Sequence, residues 1–469
     1  MRHITKGIGN FQVKKMAVGR KNFFHLVHFR ALLFILQARI FLKSCLFESM
    51  KKLKYFIVLT LFLSFFIPTS WAQQEKWLWT FEGGNFQITM GLQDDFSPVI
   101  TSNGQLYFAV WYRKTKSGFD IYGTRIDKNG EIIDEEGIEI CTAPNDQMFP
   151  SVASDGENFF VVWQDKRSGK RWDIYGTIVT NDGQVLEPFP IAVGKSTYDQ
   201  VSPSLAFDGE SYLVVWQGRK NAKLWNIYFT RLSKDGEALD EKSALLAPSL
   251  KDQASPSIGF NGENYFIVWQ DLRNGKFWEI YGARVAPSGE VLDKQGNTIS
   301  PTFLSDKENT YGWDKWRPVL SWDGEFFLVI WMTSQEGNKW FLEGKRVSTD
   351  GKPADLLDIP IQADTTNKIF PVILWDGDQY ILIWEEEPEG ESKICGASIL
   401  PQFKPFEISE TVQISSPDAR DSYYSGISSI KDEILIIWQG KGEDDSWHIY
   451  GQRLKKDLEI PPVDSAKME

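Results

Sequence analysis

The sequence predicts an all-β fold, a seven-bladed β-propeller of four-stranded antiparallel blades, closed by an N-terminal strand that completes the last blade. Three observations predict it. A tryptophan ending a "VVW"-type phrase recurs at positions 111, 163, 216, 269, 331, 384 and 438, about fifty residues apart each time, the signature of a repeat architecture. Each repeat carries Asn-Gly or Asp-Gly pairs between apolar runs, the strongest short hairpin signal. Helix-period apolar stripes are missing beyond residue 72.

Within a repeat the elements follow in order. A proline opens it at 98, 150, 203, 256, 318 and 371, with Ser425 in its place in the last. An apolar run such as "SIGF" follows, then a turn pair (Asn103-Gly104, Asp155-Gly156, Asp208-Gly209, Asn261-Gly262, Asp323-Gly324, Asp376-Gly377) whose two residues both tolerate positive φ. The second strand, "NYFIVW" in repeat four, is apolar on consecutive residues and is expected to be covered on both faces. A polar loop leads to a third strand, "WEIYGARV", and a second glycine turn leads to a short fourth one, such as "IEICTA" at 138–143. Blades begin near 96, 148, 201, 254, 316, 369 and 423. The seven tryptophans are expected to fill the wedges between blades, each contributing roughly 2–3 kcal/mol of apolar burial. The seventh repeat holds three strands, so 85–90 is predicted to lie beside 447–455 and remove the open edges.

The propeller is expected to occupy 73–469. Met50 begins a stretch with the parts of a cleavable secretory signal: Lys51, Lys52 and Lys54, an apolar Tyr55–Ile67 too short to span a bilayer, and Ser70-Trp71-Ala72 before the expected cleavage. Residues 1–49 read as a mis-assigned upstream extension. The formal net charge of −12 becomes −23 over 73–469, with 39 Lys and Arg against 62 Asp and Glu. Such a chain repels phosphate backbones and anionic membranes, so nucleic acid and membrane partners are not expected. Cys141 and Cys395 fall in distant repeats and are not expected to pair.

The period and aromatic spacing resemble the seven-bladed propellers of secreted bacterial proteins with "DG…YLVVWqD…DIYG" repeats, over residues 81–460. No biochemical role comes with that resemblance. "STDG" at 348–351 is similar to part of a sialidase Asp-box but lacks the closing aromatic.

Ligand residues are expected on the face formed by the loops between strands two and three and the loops between blades. An acid precedes each opening proline by four residues (Asp94, Asp146, Asp199, Asp252, Asp314, Asp421, with Asn367 in repeat six); its recurrence reads as turn scaffolding, and a carboxylate ring that binds a cation is the alternative. The third-strand arginines are expected to pair with neighbouring acids. After the repeat tryptophan, Asp165 and Arg167, Arg219, and Asp271 and Arg273 stand close to Trp172, Trp225 and Trp278, a composition suited to sugars or acidic groups. Repeat four departs from the pattern in "LSDKENTYGWDKW", which adds Tyr311, Trp313 and Trp316 and carries Asp314. Repeat six departs in Glu385-Glu386-Glu387-Pro388-Glu389, which reads as a solvated acidic loop, with two of its carboxylates forming an acid–base pair as the alternative. His448 is the one histidine beyond residue 72, which argues against a Ser-His-Asp triad or a multi-histidine metal site, and no cofactor motif occurs. The expected function is a secreted or periplasmic, non-catalytic propeller that binds a glycan or protein partner through its loop face. The alternatives are a carbohydrate-active hydrolase or lyase, and a structural surface module.

Overall fold

The computed structural model describes residues 79–191, 197–301, 313–335, 339–361, 366–387, 391–401, 407–417 and 419–456. The signal segment, the 1–49 extension and Tyr311 lie outside the described residues. Seven antiparallel sheets follow one another along the chain, and no described residue is helical. The first strands are Asp95–Ser102, Gln147–Ser154, Gln200–Phe207, Gln253–Phe260, Lys315–Trp322, Asn367–Trp375 and Arg420–Ile430. Each contacts the first strand of the next blade, and the last contacts the first, so these strands form the inner circle of the propeller.

The second strands explain the doubly apolar pattern. Along Tyr107–Lys114, Tyr107, Ala109 and Trp111 pack against blade seven, while Phe108 and Val110 pack against blade two. Alternate side chains of a strand leave opposite faces, so a strand covered on both sides must be apolar at every position. The molecule accordingly has seven cores, one between each pair of neighbouring blades. Each contains one repeat tryptophan, and all seven are at most 1% exposed.

The ring closes as the sequence predicts, over a longer strand. Trp79–Gln87 pairs antiparallel with Trp447–Lys456, from Trp79 opposite Lys456 to Gln87 opposite Tyr450. The expected strand began at residue 85. It begins at Trp79, because the pairing continues through a bulge between Glu82 and Phe86, with Gly83 at φ 71°. Beyond it, the Ile88 amide donates to Ile449 O at 2.7 Å.

The inner turns differ from the expectation in one respect. Only the glycine is left-handed (Gly104 at φ 85°, Gly209 at φ 103°), while the preceding Asn or Asp is not. Its side chain instead accepts the next two amides: Gln105 and Leu106 donate to Asn103 Oδ1 at 3.0 and 2.9 Å. Fourth strands are shorter than predicted, as in Ile138–Cys141 and Phe189–Pro190. Cys141 and Cys395 are buried free thiols.

Candidate functional site

The recurring residue four before the proline position joins blades at Asp94, Asp146, Asp199, Asp252, Asp314 and Asn367. Its carbonyl accepts an amide just after the second strand of its own blade, as Lys114 N to Asp94 O at 2.8 Å. Its side-chain oxygen accepts the amide at the start of the third strand of the preceding blade, while Asp421 makes no such bond among the described residues. Trp172, Trp225 and Trp278 donate to Asp199, Asp252 and Asp314 at 3.1, 3.0 and 2.9 Å, and Trp447 donates to Asp94 at 3.1 Å across the seam. Asp314 therefore holds blade four to blade five. Four third-strand arginines fork onto an acid nine residues ahead: Arg125–Asp134, Arg231–Asp240, Arg284–Asp293 and Arg346–Asp355.

The pairs after the tryptophan are internal. Asp165 is 1% exposed; it accepts the Trp163 indole N–H at 2.9 Å and the Arg167 guanidinium at 2.7 and 2.9 Å. Asp271 is buried the same way, receiving the Trp269 indole at 2.8 Å, Arg273 Nη2 at 2.6 Å and Gln253 Nε2 at 2.8 Å. The two guanidinium groups lie 3.8 and 4.0 Å from the Tyr175 and Tyr281 ring centroids. Asp165, Arg167, Asp271 and Arg273, expected on the ligand face, thus satisfy buried indoles and each other. Blade one builds the same triad from other positions, with Arg113 and the Trp111 indole on Asp95. Blade six builds it from Lys368, Glu386 and the Trp384 indole. Glu386 is so employed, and burial with Glu386 alongside pushes the Cys395 thiol up to about 12. Arg219 is different: its guanidinium lies 4.6 Å from the Trp225 ring and donates to Ala222 O at 2.8 Å near the surface.

One ring of residues was not singled out by the sequence pattern. Every first strand carries a bulge, and in each the residue just before the proline position adopts a left-handed backbone: Ser97, Phe149, Ser202, Ser255, Arg317, Phe370 and Tyr424, with φ between 47° and 54°. Left-handed backbone is costly away from glycine and persists only where surroundings enforce it. Here the residue after the preceding blade's tryptophan enforces it. Gln164, Gln217 and Gln270 accept the amides of Ser202, Ser255 and Arg317 at 3.3, 3.0 and 3.0 Å, and Gln439 accepts that of Ser97 at 2.8 Å. The backbone is thus repeated while the side chains differ, giving seven slots around the inner circle. Neighbouring slots touch: the Arg317 guanidinium is 4.3 Å from the Phe370 ring, and Phe370 is 5.1 Å from Tyr424.

Glu385 stands where blades two, three, four and seven have glutamine. It is fully buried, its Oε1 accepts the Tyr424 amide at 2.6 Å, and its Oε2 has no hydrogen-bond partner. Burial pushes its pKa up to about 8 against the opposing pull of that amide and of Arg317, so the carboxyl is mainly protonated at neutral pH.

The departure in repeat four builds an aromatic cluster. Trp316 packs on Trp278 and Trp340 with centroids 5.7 and 6.3 Å apart, and Trp313, 42% exposed, meets Phe341 edge-on at 5.8 Å. The Trp316 indole N–H is buried without a partner.

No protein-family model and no curated protein matches the chain. Among solved structures it is similar to a Dyadobacter fermentans protein of unknown function (12% identity, 66% of this chain and 94% of that one, TM-score 0.45). It is also similar to an acylaminoacyl peptidase of Pyrococcus horikoshii (12%, 77% and 52%, 0.46) and an alpha-L-arabinofuranosidase of Fusarium graminearum (11%, 66% and 93%, 0.44). At these identities and TM-scores the likenesses carry no argument about activity.

Proposed function

We propose that the chain is an exported propeller that binds a saccharide on its loop face, over the aromatic cluster of blades four and five. The observation that carries this reading is the convergence of Trp278, Trp313, Trp316, Trp340 and Phe341 at the point where the repeat is broken. Indole faces stack on the apolar C–H faces of sugars, and ordinary surfaces rarely gather this many aromatic rings. The aspartates of the pairs in blades two and four are occupied by indole and guanidinium donors, so the reading rests on the aromatic cluster rather than on them. A glycan array on the mature protein tests the reading. Binding should fall on Trp313→Ala while thermal stability stays unchanged, and an array without hits would overturn it.

A second reading, hydrolysis of the bound saccharide, is favoured by Glu385 alone. A buried carboxyl held near pKa 8 is the form a general acid takes at neutral pH. Four blades already carry glutamine in this slot, so Glu385→Gln keeps the fold and removes the proton. Turnover of an oligosaccharide panel by the parent and not by Glu385→Gln would establish hydrolysis. Absence of turnover in the parent would restrict the function to binding.

A further inference from the structure

We propose that the inner circle binds the carboxylate of an acidic sugar through Arg317. The arginines that pair along the blades show what this one lacks. Arg113, Arg125, Arg167, Arg231, Arg273, Arg284 and Arg346 each form an ion pair with an aspartate within 3.0 Å. The Arg317 guanidinium has neither an ion pair nor a hydrogen bond among the described residues; its recorded neighbour is the Phe370 ring. It is exposed to solvent, yet desolvation lowers its pKa, with Tyr424 and Glu385 acting in the opposite direction. Both hold for a side chain that water reaches inside a concavity walled by protein. Its nearest acid in the ring, Glu385, is mainly neutral at pH 7 and leaves the positive charge uncompensated.

The other slots fix the ligand class. Phe149, Phe370 and Tyr424 offer ring faces, and the hydroxyls of Ser202 and Ser255 form no hydrogen bond among the described residues. One planar cation, apolar faces and neutral hydroxyls match a pyranose that bears a single carboxylate, because guanidinium forks fit carboxylates in two parallel hydrogen bonds. A doubly charged phosphate fits less well against a lone guanidinium in a chain of net charge −12. The inference rests on the saccharide reading above and adds the charge of the sugar and a second place for it.

The test is titration calorimetry at pH 7 with glucuronate, galacturonate and their short oligomers, with glucose, the uronate methyl esters, acetate and inorganic phosphate as controls. Arg317→Ser is the variant of choice, since serine already occupies this left-handed slot before proline in three blades. The expected result is uronate binding, as monomer or chain end, weakened on the order of 10- to 100-fold in Arg317→Ser and by esterification, and little changed in Trp313→Ala. Uronate affinity that is equal in the parent and Arg317→Ser would overturn the inference, and so would acetate or phosphate binding as tight as uronate. If neutral oligosaccharides bind through Trp313 while uronates ignore Arg317, the inner-circle site fails alone. If no saccharide binds at all, the reading under Proposed function fails and this one falls with it.

Discussion

Arg273 and Arg317 belong to consecutive blades, but they have opposite circumstances. Arg273 follows its tryptophan by four residues, donates to a fully buried aspartate and covers a tyrosine ring. Arg317 precedes its proline, occupies a strained backbone and meets no carboxylate. The first belongs to a triad of indole, acid and cation that other blades rebuild from different positions. The second is the one charged side chain among seven equivalent backbones that otherwise carry serine, phenylalanine or tyrosine. A charge that recurs with its partner maintains the blade, whereas a charge without partner or counterpart is available to something else.

That contrast can be broken by substitution. Asp271→Ala should be the most damaging change, since it strands a guanidinium, an indole N–H and an amide at once. A loss on the order of 3–5 kcal/mol is expected by chemical denaturation, and a loss below 1 would mean that the triad is not what holds blade four. Glu385→Gln should act through pH. The folded pKa near 8 exceeds the ordinary 4.5, so the carboxyl's contribution is complete below pH 4.5 and is lost as pH rises through 8. The variant should match the parent at pH 5 and exceed it by about 2–4 kcal/mol at pH 8.5; parallel melting curves across that range would show that Glu385 is not protonated in the fold. Asp314→Ala removes one interblade hydrogen bond, at Trp278, and should cost about 1 kcal/mol, with saccharide binding weakened only through a displaced Trp278. Arg317→Ala should leave stability within about 0.5 kcal/mol of the parent, because nothing in the fold depends on its charge. A loss above 2 kcal/mol would place Arg317 with Arg273.

The same distinction explains what the sequence revealed. Repetition amplifies every scaffold signal: the tryptophans, the turn glycines and the pre-proline acids were legible because each recurs in six or seven repeats, and the closing strand because the seventh repeat lacks one. The aspartates of Asp165–Arg167 and Asp271–Arg273 were legible as chemistry but not as partners, since adjacency in a loop does not show that the acid turns inward toward an indole. The seven slots were hidden for the opposite reason. Ser97, Phe149 and Arg317 share no residue type, and their one common signal is the place before proline, where a left-handed backbone is not the usual expectation. The closing strand begins six residues before the expected start, because pairing continues through a bulge at Gly83-Gly84.

Trp79 sits opposite Lys456, so the outermost residues of the two seam strands leave the ladder from the same end. Tension applied there would not shear all the rungs together; it would peel them singly, beginning with Trp79 and Lys456 and reaching Gln87 last. The disk is therefore weak against a pull between residues 79 and 456. Immobilising it by residue 79 or residue 456 alone spares the seam, whereas stretching it between the two opens the molecule like a zip.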